Sequence, residues 1–103
     1  MATVSEVSID KVSKHFATVV RDLDVVREAW VSGGPDAFYL WLVVTPLDMA
    51  TELELCAVVD PMYERFPSPT FTLRILNPTF FVDLRPEMII PSRAQRVDLR
   101  SSR

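Results

Sequence analysis

At 103 residues the chain is long enough for one domain with a modest core, and its 49% apolar content with two Gly and eight Pro argues for an ordered fold whose turns are stiffened by proline. A net charge of −3 argues against nucleic-acid binding by the whole surface. One cysteine excludes an intrachain disulfide and fits a cytoplasmic setting, and residues 1–6 lack the basic and apolar regions of a signal peptide.

Residues 1–7 are short and unpatterned and read as a frayed arm. A helical pattern then begins, with Ser8 as N-cap and Asp10 in the first turn. Ile9, Val12, Phe16, Val19, Val20, Leu23, Val26 and Trp30 step by three and four, which predicts one long helix with Asp22 as the place for a break. Gly33, Gly34 and Pro35 stop it.

Ala37 to Val44 is the longest unbroken apolar run, far too short to cross a bilayer, and it predicts a strand. Phe38, Leu40, Leu42 and Val44 point one way, and Ala37, Tyr39, Trp41 and Val43 the other, so both faces want cover. Thr45, Pro46 and Asp48 suit the start of a helix, with Thr51 as an alternative start. Leu55, Cys56, Val59, Met62, Tyr63 and Phe66 form its apolar stripe, and Pro61 should kink it or mark a boundary. Pro67 and Pro69 end it. Thr70 to Leu76 alternates, with Phe71, Leu73 and Ile75 on one side and Thr70, Thr72 and Arg74 on the other. Asn77 and Pro78 turn the chain. Phe80 to Leu84 reads as a third strand or an ordered loop, Ser92 to Gln95 as a helical turn, and Arg96 to Arg100 as a short last strand.

The expected fold is thus a small single α/β (or α+β) domain. Its order is helix, strand, helix, strand and one or two short C-terminal strands, with a β-α-β unit over residues 37–76.

Catalytic chemistry finds little footing. With Cys56 and His15 as the sole soft ligands, a structural zinc site is not expected; Cys56 reads as a buried small hydrophobe and His15 as an exposed flank residue. No nucleophile elbow and no glycine-rich phosphate loop is present. Asp22 with Asp24, and Glu52 with Glu54, diverge on a helix; Asp48 and Glu52 can share a face, most simply as an acidic first turn. The order helix, Gly-Gly, apolar strand, helix, strand loosely resembles the core of small nucleotidyltransferases. Those enzymes need a Gly-Ser turn and acids on two neighbouring strands to hold magnesium. Here Phe38 to Leu42 contains no acid, and Thr72 and Arg74 stand where one is wanted. The resemblance therefore implies at most a non-catalytic relative.

The charge is uneven. Residues 1–64 hold eleven acids and four bases, and residues 65–103 three acids and seven bases. Arg93, Arg96, Arg100 and Arg103 crowd the tail at 93–103.

Three functional expectations follow. The first is a non-enzymatic protein–protein interaction or accessory module acting as a homodimer. Phe80 or Phe81, with Trp41 as a further candidate, would lie at its interface, because Phe80-Phe81-Val82 has no helix to bury it. The second is a small-ligand binding protein or weak enzyme that uses Tyr39, Trp41 and Arg74 on the second sheet face, unless the first helix covers that face. The third is an accessory nucleic-acid binder through the arginine tail. No metal, cofactor or membrane partner is expected.

Overall fold

A computed structural model describes residues 7–80 and 85–99. Helix α1 (Ile9–Val20) is followed by strands β1 (Val26–Gly33) and β2 (Ala37–Val44), helices α2 (Met49–Leu55) and α3 (Val59–Arg65), strand β3 (Thr70–Leu76), the short helix α4 (Pro86–Ile89) and the two-residue strand β4 (Gln95–Arg96). The fold is an α/β domain built on a mixed four-stranded sheet of order β3-β2-β1-β4. β2 and β3 run parallel, joined by the α2–α3 crossover, and β1 is antiparallel to both β2 and β4.

The β-α-β unit lies where the sequence predicts it. The long first helix does not: it ends at Val20, and β1 occupies the second half of its pattern. Val26 and Trp30 are four residues apart, and a spacing of four satisfies a strand's period of two as well as a helix's turn. Full burial of Ala29 and Val31, on either side of the half-buried Trp30 and next to the half-buried Glu28, reveals the strand period. Gly33, Gly34 and Pro35 accordingly turn a hairpin instead of ending a helix, with the Gly34 N–H donating to the Ala37 carbonyl at 2.7 Å.

Ser8 caps α1 by accepting from the Lys11 N–H, as expected. The N-cap of α2 is Asp48, neither Thr45 nor a residue nearer Thr51; its carboxylate accepts from the Thr51 N–H at 2.8 Å. Thr45 is still tied to the sheet, its N–H bonded to the Val25 carbonyl. Pro61 lacks an N–H and its ring crowds the carbonyl four residues back, and a 3₁₀ turn at Cys56–Val58 separates α2 from α3 at that point. The tighter turn rotates the apolar stripe. Leu55, Met62 and Phe66 are buried, Val59 is half-buried, and Cys56 is exposed with its thiol donating to the Glu52 carbonyl, where burial was expected.

Both long helical elements pack on one side of the sheet. Val12, Phe16 and Val20 of α1 join Leu55, Met62 and Phe66 against Ala29, Val31, Phe38, Leu40, Leu42 and Phe71. The first helix therefore does not cover the second face. His15 lies between α1 and α3, half-buried, with Nε2–H donating to the Pro61 carbonyl at 3.3 Å and its ring edge-on to Phe66. That contact replaces the exposed ring expected from sequence.

Candidate functional site: the tryptophan face of the sheet

The face opposite the helices follows from strand parity and register. On β2 it carries Tyr39, Trp41 and Val43, and cross-strand pairing sets Ser32, Trp30 and Glu28 beside them on β1. On the other flank, parallel pairing aligns Thr72 with Tyr39 and Arg74 with Trp41. Trp30 and Trp41 are direct cross-strand neighbours, and Trp30 is paired in turn with Arg96 of β4.

The result is two repeats of one arrangement. The Arg74 guanidinium lies 5.9 Å from the Trp41 ring centroid, and the Arg96 guanidinium lies 5.9 Å from that of Trp30. Each arginine rests on an indole face, a cation–π contact that holds the charge at the surface and orients it. Trp41 is 7% exposed, and its Nε1–H donates to Ser32 Oγ at 3.2 Å. Trp30 is less buried, and its Nε1–H donates to Glu28 Oε1 at 3.1 Å.

The described cover of this face is the segment after α4. Ile90 packs with Trp41 and Leu76, and Trp30, Val43 and Ala94 pack against that cluster. The strap leaves a groove on each side. One, of about 620 Å³, is lined by Ser32, Tyr39, Trp41, Arg74, Leu76 and Ile89, with Leu73, Ile75 and Pro91. The other, of about 470 Å³, is lined by Glu28, Trp30, Glu87, Ile90, Ser92 and Arg96, with Pro91 shared. Among the described residues the first groove has no acidic side chain in its wall and the second has Glu28 and Glu87.

Tyr39, Trp41 and Arg74 therefore share one groove. Phe80 is exposed but lines neither groove, and Phe81 lies outside the described residues, as do Arg100 and Arg103. Arg93 is exposed and Arg96 sits on Trp30. The Trp30–Arg96 unit is not legible in the apolar spacing of the sequence because the interval from Val26 to Trp30 also fits a helix. The alternation Glu28, Trp30, Ser32 against Ala29, Val31 is the signal that could have found it.

Asp48 and Glu52 are occupied elsewhere. Asp48 caps α2, and its hydrogen bonds from Thr51 hold its carboxyl below the usual carboxylate range. Glu52 Oε1 accepts from Asn77 Nδ2 at 3.1 Å. Among the described residues no group of three His, Cys, Asp or Glu could hold a metal ion, and no helix is long and apolar enough to cross a membrane. Comparison with known proteins finds no matching protein family, no similar characterised protein and no matching solved structure.

Proposed function

We propose that the protein is a non-enzymatic protein–protein interaction module that docks partners on the tryptophan side of its sheet and self-associates as a homodimer there. The observation that carries the reading is that α1 and the α2–α3 crossover pack on one side of the sheet. This leaves a sheet face with two arginine-capped tryptophans beneath one narrow strap. Around that strap Tyr39 and Ile89 are 41% and 42% exposed, and Met88 is 76% exposed. Clustered exposure of large apolar side chains marks an association surface, and a two-fold contact that buries the same patch against itself is the simplest closure.

Sedimentation velocity from about 1 to 100 μM tests the homodimer, a range that brackets micromolar association. A dimer mass that reverts to monomer in Ile89→Asp and Met88→Asp, with circular dichroism unchanged, is the expected result. A wild-type monomer across that range removes the homodimer. A small-anion site is the second reading, favoured by a groove beneath Arg74 that has no acid among the described residues, and isothermal titration with small aromatic carboxylates addresses it.

A further inference from the structure

β3 is an outer strand of the sheet, and its free side is not uniformly open. Along a strand, the N–H and C=O of alternate residues point to opposite edges. The Thr70 N–H bonds inward to the Asp36 carbonyl, so Thr70, Thr72, Arg74 and Leu76 face β2, and Phe71, Leu73 and Ile75 face outward. Phe71 is already engaged: the Tyr63 hydroxyl accepts from its N–H at 2.9 Å and donates to its carbonyl at 3.3 Å. Among the described residues nothing else hydrogen-bonds to the outer side of β3. Among the described residues the open edge is therefore the backbone of Leu73 and Ile75. Both residues belong to the helix-side core, yet both line the groove beside Arg74, so that groove runs over the strand edge.

We propose that this edge takes an extended peptide segment bearing one acidic side chain, added antiparallel to β3 over residues 72–76. This rests on the reading of the protein as an interaction module but not on its homodimer. Two peptide residues opposite Leu73 and Ile75 exchange N–H···O bonds with them, four in all. The residue between them lies on the tryptophan face opposite Arg74. Arg74 is exposed and, among the described residues, makes no ion pair and has no acidic side chain beside it in the groove, so a carboxylate belongs there. The next same-face positions, two residues away on either side, lie opposite Thr72 and Leu76, near Tyr39 and Ile89, and suit apolar side chains.

A second copy of β3 does not fit this edge. A two-fold centred on Arg74 sets two guanidinium groups directly opposite each other. Centred on Leu73, it needs the groups of Phe71 that Tyr63 holds. Centred on Ile75, it needs the Asn77 carbonyl, which already accepts from the Phe80 N–H at 3.1 Å. The occupant is a different, acidic strand.

The test is a titration of full-length protein by amide-detected NMR with three capped pentapeptides. Val-Thr-Glu-Thr-Val is the probe, Val-Thr-Lys-Thr-Val reverses the charge, and Val-Pro-Glu-Pro-Val keeps the acid but removes both N–H donors. The probe is expected to shift the Leu73 and Ile75 amides, with affinity about tenfold lower for the lysine peptide and for Arg74→Gln protein, the scale of one charge-assisted contact. The proline peptide should leave those amides unmoved. Tyr63→Phe, which frees Phe71, should bind a longer probe, Val-Thr-Glu-Thr-Val-Thr-Val, several-fold more tightly than wild type by adding a further pair of hydrogen bonds. Equal binding of the proline peptide, or shifts confined to the Arg74 and Trp41 side chains, overturns strand addition and leaves a simple anion site. No binding of the probe at millimolar concentration overturns it outright. Neither result alters the mass measurement that decides the homodimer.

Discussion

Asn77 clasps the backbone of Leu47 from thirty residues away. Its Oδ1 accepts from the Leu47 N–H at 3.0 Å and its Nδ2 donates to the Leu47 carbonyl at 2.9 Å. The same side chain accepts from the Thr79 N–H and donates to Glu52, and it is fully buried. It joins the entry of the α2–α3 crossover to the exit of β3, closing the β-α-β unit at the end where both strands finish.

Replacing Asn77 by Ala should cost about 2–4 kcal/mol, because the Leu47 N–H and carbonyl lose their partner in a buried position. Urea denaturation is the measurement. Asn77→Asp keeps the acceptors, loses the donors and places a carboxylate beside Glu52. Its deficit should therefore shrink as pH falls and the acid gains a proton to donate. A deficit that is flat from pH 7 to the acid limit of folding would contradict the role assigned to Nδ2.

The crossover is held by Leu55 and Met62, both buried against the sheet. Leu55→Ala and Met62→Ala should each lose about 2–5 kcal/mol through lost transfer energy and an unfilled cavity. Tyr63→Ala, on the exposed side of α3 and removing the cap on Phe71, should cost less than either. Thermal melts of the three variants give the order.

The cap on α2 has a pH signature. Hydrogen bonds from Thr51 depress the Asp48 carboxyl relative to the unfolded chain, so its stabilisation is present above the unfolded carboxylate range and lost as pH falls through the lower folded value. Asp48→Ala should lower the melting temperature at pH 7 and narrow the gap to wild type in acid. A gap that widens with acid would contradict the cap.

Gly33 should not tolerate a side chain. Its φ is +91°, and a Cβ there would stand 2.6 Å from the Ala37 carbonyl oxygen, a backbone atom fixed in the hairpin. Gly33→Ala should destabilise by about 1–3 kcal/mol, read from the shift in denaturation midpoint.

How far the sequence carries is visible residue by residue. Unbroken apolarity from Phe38 to Val44 and clean alternation from Thr70 to Leu76 declare both strands and their faces. Hence Tyr39, Trp41 and Arg74 are assigned to one surface before any register is known. The register that puts Arg74 on Trp41 is a tertiary fact, since parallel strands are aligned by the crossover and not by a local turn. β1 is hidden because Val26 and Trp30 fit two periods at once. Asn77 is legible as a turn residue beside Pro78, but its hold on Leu47 depends on a contact thirty residues away. Tyr63 reads as part of an apolar stripe, whereas its hydroxyl serves the strand edge. Cys56 falls off that stripe because the 3₁₀ turn shifts the phase, an effect of Pro61 that fixes a place but not a rotation.

The side-by-side tryptophans give the molecule a built-in optical gauge. Both indoles lie on one sheet face, neither touches the helix-side core, and they differ in depth. Their emission is therefore blind to loosening of α1 and sensitive to whatever lifts the strap or settles beside it. Paired with a far-ultraviolet signal that follows the helices, it separates occupancy of one face from unfolding of the other in a single unlabelled sample.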